Sequence, residues 1–268
     1  MIIDFHTHVF PEKIAAKTIE LLKAKGGIPA FSDGTAQGLI EALEKAGVDL
    51  AVTLPVLTNP LSFEGVNRYA KEINDIFRDE KRRLISFGAI HPLCEDIKGK
   101  IAKLKNDGFL GVKIHPDYQG AYINDEGYVK ILNEARENDL IVLTHAGVDF
   151  AYPDDVHCTP SLTKELLKKA PHKKFILAHL GGEKLQEEFL NAFADDEVYF
   201  DTGYVLRAIN EEILKNWLKK VGSDRILFAS DSPWSDIGRD VEILNSFNLD
   251  EKTKEKLFSF NAKKLLGI

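Results

Sequence analysis

The sequence predicts a (β/α)8 barrel of the TIM type. Three observations carry this. Eight short apolar runs alternate with longer amphipathic segments. The runs are continuous rather than alternating, as strands buried on both faces are. The chain has 268 residues, close to the length at which eight βα units close into a barrel of about 250 residues. A doubly wound open sheet is the alternative arrangement of the same pattern.

In order, the runs occupy residues 2–5, 50–54, 84–90, 111–114, 141–144, 175–178, 198–200 and 226–229. Between them, apolar residues recur at helical spacing. Ile73, Ile76 and Phe77 make one such face, and Leu132 with Ala135 another. Leu185, Phe189 and Phe193 make a third, and Ile213, Leu214, Trp217 and Leu218 a fourth. Ser62, Asp125 and Asn210 stand where helices need a side chain to cap their first amide groups. Residues 26–34, rich in glycine, read as a loop inside the first βα unit. The expectation is one domain over residues 1–268.

The composition is that of an ordinary globular protein, 44% hydrophobic and 29% charged, with a net charge of -7. The acidic balance argues against a nucleic-acid or anionic-membrane partner, which would need basic patches. The two cysteines, Cys94 and Cys158, are too few for a disulfide framework and read as free thiols. The first residues lack the basic and apolar regions of a signal peptide, and no stretch approaches the roughly 18 apolar residues of a membrane span. A reducing cytoplasm is the expected compartment.

A barrel gathers its chemistry at the C-terminal ends of its strands. The first run ends in His6 and His8, and residues two apart on an extended strand share a face. Two imidazoles then converge as a single ion requires. The fifth run ends in His145, the sixth in His179 and the eighth in Asp231. The fourth carries Lys113 and His115, again two apart. His91 is read as turn chemistry with Pro92, and His157 and His172 as surface residues.

The segments Asp4-Phe5-His6-Thr7-His8, Leu143-Thr144-His145, Leu177-Ala178-His179-Leu180-Gly181-Gly182 and Phe228-Ala229-Ser230-Asp231-Ser232-Pro233-Trp234 resemble the amidohydrolase superfamily. They are most similar to its amidohydrolase-related branch, which includes aminocarboxymuconate-semialdehyde decarboxylase. The closing Asn261-Ala262-Lys263-Lys264-Leu265-Leu266-Gly267 is similar to that branch's last helix. The resemblance implies that His6, His8, His145 and Asp231 hold one divalent metal ion, with His179 and Asp231 as catalytic residues. Zinc suits such a donor set best, with manganese or iron as alternatives.

Lys113 opens a second possibility. Residues 111–118 resemble the strand-four motif of urease. In binuclear members of the superfamily such a lysine is carboxylated and, with a histidine in the place of His179, holds a second ion. The preferred expectation is one ion, with Lys113 and His115 binding substrate. Arg207, past the seventh strand, is the nearest anion-binding arginine, and Arg239 is similar. Tyr118, Tyr122, Tyr204 and Trp234 are candidate walls of an aromatic pocket.

The chemistry expected first is hydrolysis of an amide, ester or lactone bond of a small molecule by metal-activated water. The alternative is metal-dependent, non-oxidative decarboxylation of a small unsaturated or aromatic acid. A barrel that only binds a ligand would lack some of these residues, and none is missing. The expected partner is a small-molecule substrate, and the family's habit makes a homodimer possible.

Overall fold

A computed structural model describes residues 1–76, 83–182 and 184–268. Among them are nine parallel strand segments: β1 (Ile3–Thr7), β2 (Leu50–Thr53), β3 (Leu84–Ser86), β4 (Gly88–Ala89), β5 (Gly111–Ile114), β6 (Ile141–Thr144), β7 (Phe175–Leu177), β8 (Tyr199–Asp201) and β9 (Ile226–Leu227). Segments β3 and β4 are the predicted third strand, interrupted at Phe87. The ladder runs β1-β2-β3 and then β4 through β9 in chain order. Two sets of backbone bonds join these halves. The Phe87 N–H donates to the Thr53 carbonyl at 2.9 Å, and the Phe5 N–H donates to the Phe228 carbonyl at 3.0 Å. Beyond β9, Ser232 pairs in parallel with Thr7. The sheet therefore closes into the predicted barrel of eight strand positions.

The barrel interior is packed, not hollow. Ile3 and Phe5, Leu50 and Val52, Ile85 and Phe87, Ile141 and Leu143, and Ile176 form one buried cluster. Phe5 meets Phe87 edge to face, ring centres 5.9 Å apart. Gly111 makes room for that ring, since a Cβ there would lie 2.6 Å from Phe87 Cε2. The closing helix, Asn261–Leu266, plugs the N-terminal end of the barrel. Its Ala262, Leu265 and Leu266 join the interior cluster, and Asn261 donates to the Ser223 and Ile226 carbonyls at 2.7 Å each. Only the opposite end is left for chemistry.

The helical faces hold with local corrections. Leu132, Ala135, Phe189, Phe193, Leu214 and Trp217 are buried as predicted, while Ile76 and Ile213 are exposed. Phe77 lies outside the described residues. Asn210 caps its helix, accepting from the Ile213 N–H at 3.0 Å. Ser62 does not cap: residues Pro60–Ser62 form a 3-10 turn that runs into helix Phe63–Ile76, and Asn59 caps that turn instead. Asp125 stands at an N-cap without a side-chain cap bond; its carboxylate accepts from the Tyr122 N–H. Residues 27–35 connect helices Glu12–Gly26 and Ala36–Ala46 without regular structure. Cys94 and Cys158 are free. No helix among the described residues is long and apolar enough to cross a membrane.

Candidate metal centre

The first strand does not run straight into the site. Simple alternation would face Phe5 inward and turn His6 outward. The register of β1 on β2 shifts between Asp4 and Thr7, and such a bulge re-aims the side chains beyond it. Asp4 pins the irregularity. It accepts from the His6 N–H at 3.2 Å and the Ser230 N–H at 3.0 Å, and from the Ser230 hydroxyl at 2.5 Å. Complete burial pushes its carboxyl up to about 7, although these bonds pull the other way. The Asp231 N–H then donates to the His6 carbonyl at 2.8 Å, and the His8 N–H to the Ser232 carbonyl at 2.6 Å. One buried carboxylate thus ties together the two loops that carry His6, His8 and Asp231.

The loops after the sixth, seventh and eighth strands are bent more sharply. His179, Leu180, Tyr204 and Asp231 all adopt left-handed backbone conformations, each costing on the order of 1–3 kcal/mol in a non-glycine residue. Gly182 explains the paired glycines after His179. A Cβ there would sit 1.8 Å from the Ala146 carbonyl oxygen. The glycine lets the loops after β6 and β7 touch, which sets His145 Nδ1 3.2 Å from His179 Nε2.

The donor set fits a metal ion. His8 Nδ1 donates to the Leu54 carbonyl at 2.8 Å, and His6 Nδ1 donates to Asp201 Oδ2 at 2.9 Å. Both imidazoles anchor Nδ1 outward and turn Nε2 inward. Burial, then Lys113, hold His6 well below the ordinary histidine value, so it is neutral. Burial opposes ionisation of Asp231, but His6, the His8 bond and His179 outweigh it and hold this carboxyl below its usual value. Two imidazole nitrogens and a carboxylate oxygen therefore converge on one point. His6 Nε2 and His8 Nε2 are 3.1 Å apart, and Asp231 Oδ1 lies 3.4 Å and 3.1 Å from them. Ligands on a tetrahedral zinc with bonds of about 2.0–2.1 Å are separated by about 3.3 Å. These separations suit a cation at the centre of the three.

His145 stands apart from this triad. It groups with His115 and Asp149, its ring stacked on that of His115 at 4.2 Å and 4°. His179 turns Nδ1 to the Gly203 carbonyl at 2.8 Å and Nε2 inward to His145 Nδ1. Burial holds His115 and His145 well below the ordinary histidine value. Asp149 Oδ2 lies 3.6 Å from His115 Nε2 and 3.9 Å from His145 Nε2, and burial raises its carboxyl to about 6. Lys113 is buried with Nζ 3.2 Å from His6 Nε2. Burial lowers its amine to about 8 against the pull of Asp201, Asp231 and Asp149.

These groups floor a cavity of about 570 Å³ whose walls include Tyr118, Tyr204 and Trp234. Tyr122 is not on the wall; it is 41% exposed and bonds Asp155. The cavity lining does not include Arg207. That side chain is exposed, and its guanidinium lies 3.5 Å over the Tyr204 ring. Arg239 is likewise exposed. His91 accepts from the Leu93 N–H at 3.1 Å, the turn role expected of it.

Two surface assignments are corrected. His172 is buried, accepting from the Lys174 N–H at 3.1 Å, and His157 packs inward with Nδ1 3.1 Å from Asp117 Oδ1. Polar segments at helix entries fold back over the barrel here, which spacing does not reveal. Sequence reasoning also passed over Asp201 and Asp149. Asp201 could have been found, because it ends the seventh strand as His145 follows the fifth. Asp149 sits within a loop, four residues past His145, and no periodicity marks it.

The family model for amidohydrolases matches residues 3–268. No curated protein matches the chain. Among solved structures, an uncharacterised TIM-barrel protein from Bordetella bronchiseptica superposes with a TM-score of 0.78 at 17% identity, covering 99% of this chain and 98% of that one. The 2,6-dihydroxybenzoate decarboxylase from Rhizobium gives 0.73 at 16% identity, covering 99% and 98%. The 5-carboxyvanillate decarboxylase from Novosphingobium aromaticivorans, with bound manganese and 3-methoxy-4-hydroxy-5-nitrobenzoic acid, gives 0.73 at 18% identity, covering 100% and 97%. At such identities the likeness establishes the fold.

Proposed function

The chain belongs to the amidohydrolase family, and on that premise we propose that it is a metal-dependent, non-oxidative decarboxylase of a small aromatic or unsaturated acid. The observation that carries this is the division of the cavity. Its charged side chains, Lys113, Asp149 and Asp231, lie with the histidines, and most of its remaining lining is apolar. An acid bound there would keep its ring among apolar walls and its carboxylate beside Lys113 and the ion that the histidines would hold. Loss of water from a carboxylate favours the neutral product, CO₂. The decarboxylases that share this fold act on aromatic acids, by their names, which supports the same substrate class.

His6, His8 and Asp231 would hold the ion, with His145 completing the set through Nδ1. The ion would hold an oxygen of the acid and offset charge that develops as the carbon–carbon bond breaks. Lys113, as an ammonium near neutral pH, would pair with the carboxylate, and His115 would contact the ring. Decarboxylation leaves an electron pair on carbon, and one proton must be returned to that carbon. Asp231, at rest a carboxylate, would take that proton from solvent water and relay it to the carbon, and His179, fixed on the Gly203 carbonyl, would orient the group beside it. Zinc and manganese both suit the donor set, manganese being the ion found in the 5-carboxyvanillate decarboxylase.

Hydrolysis is the second reading, and one observation favours it: Asp231 is held ionised beside the ion's position, as a base for water requires. The two separate on products. The metal-loaded protein would be incubated with hydroxybenzoates and with lactones and N-acyl compounds, following CO₂ release and hydrolysis side by side. The proposal expects chelator-sensitive CO₂ release. Hydrolytic turnover without CO₂ from any acid would overturn it.

A further inference from the structure

Helix Glu12–Gly26 buries only Ala15 and Ile19 in the protein. A second stripe, Ile14, Thr18 and Leu22, follows at four-residue spacing and lines the cavity. Ile14 keeps 50% of its surface exposed, while Thr18 and Leu22 are half-buried, Leu22 against the cluster of Ile19, Tyr204 and Trp234. Val56 and Val66 stand on the same cavity wall lining and are half-buried. None of these five side chains carries a charge. The stripe is thus continuous with the metal floor in a single cavity, and concave rather than flat, which marks ligand space.

The volume makes the same point. A single-ring carboxylic acid occupies on the order of 150 Å³ at interior packing density. Set against a cavity of about 570 Å³, most of the space would stay unfilled, and unfilled apolar space forfeits contacts.

We propose that the substrate is an elongated acid, whose carboxylate head sits on the His6–His8–Asp231 floor and whose apolar tail, about the size of a second ring, lies along Ile14, Thr18 and Leu22. The head-group assignment rests on the decarboxylase reading; the tail subsite goes beyond it.

Benzoate and biphenyl-4-carboxylate carry the same charge and differ only in the tail. Calorimetric titration of each into the metal-loaded protein isolates that difference without requiring turnover. The biphenyl acid is expected to bind at least tenfold more tightly. Ile14→Asp and Leu22→Asp are each expected to cut that ratio to about threefold or less. Ile14 is exposed, so its variant keeps the test alive if the Leu22 variant fails to fold. Equal or weaker binding of the biphenyl acid, or a ratio that survives both substitutions, overturns the proposal. CO₂ measured in the same samples separates the two readings. Tight binding of the biphenyl acid without CO₂ from any acid removes the decarboxylase and keeps the subsite. CO₂ from single-ring acids with no tail preference does the reverse.

Discussion

His6 Nδ1 lies 2.9 Å from Asp201 Oδ2, with side chains 1% and 0% exposed. The contact joins the first strand to the seventh, and it fixes which nitrogen of His6 faces the cavity. The other oxygen of Asp201 accepts from the His179 N–H and the Gly203 N–H, each at 2.9 Å. Asn at this position cannot accept on both sides, because its amide would meet an N–H on one of them. Asp201→Asn is therefore expected to weaken metal affinity about 10–100-fold, as loss of such supporting partners does. Competition with a fluorescent chelator measures it, and unchanged affinity would remove Asp201 from the metal's support.

The proposed single ion requires Lys113 to stay an amine; a carboxylated Lys113 would instead bridge two ions with His179. Metal analysis is expected to return one ion, with an intact mass equal to that of the sequence. Its amine is lowered to about 8, so the ammonium is present below that pH and lost above it. KM for an acid substrate should rise about tenfold per pH unit beyond 8. Two ions together with a mass gain of one CO₂ would reverse this account.

Arg207 faces solvent over Tyr204, and Tyr204 stands on the cavity wall. An arginine that paired directly with the substrate carboxylate would cost 10-fold or more in KM when removed, given about 1.5–3 kcal/mol for a charged hydrogen bond. Arg207→Ala is expected to raise KM about threefold or less, through Tyr204. Steady-state kinetics tests this, and a larger rise in KM would return Arg207 to the binding site.

His172 sets a pH limit on stability. Burial lowers its imidazole to about 4 from 6.5, with Arg136 and Lys174 adding to the effect. Its folded value is depressed, so above 6.5 both states are neutral and nothing is lost. As pH falls from 6.5 to 4, the unfolded chain binds the proton first and stability drains away. The full loss is about 3 kcal/mol at 1.36 kcal/mol per unit. His172→Gln is expected to flatten the decline of Tm across that window. An unchanged slope would assign acid sensitivity to other groups.

The sequence by itself determined the barrel, the end of the barrel that carries chemistry, and five of the residues gathered there. Continuous apolar runs admit few other folds, because strands buried on both faces must be covered by helices. Strand ends then mark His6, His8, His145, His179 and Asp231 without any coordinates. The tertiary structure alone decided their grouping. His6, His8 and Asp231 meet because a bulge tied down by Asp4 turns the first strand. His145 lies instead against His179 and His115, because Gly182 lets neighbouring loops touch. Asp201 and Asp149 entered only when β8 and the loop after β6 were brought beside the histidines, and Arg207 was left outside. Spacing along a chain sets which face a side chain takes, but which faces come within about 3 Å depends on closure of the whole sheet.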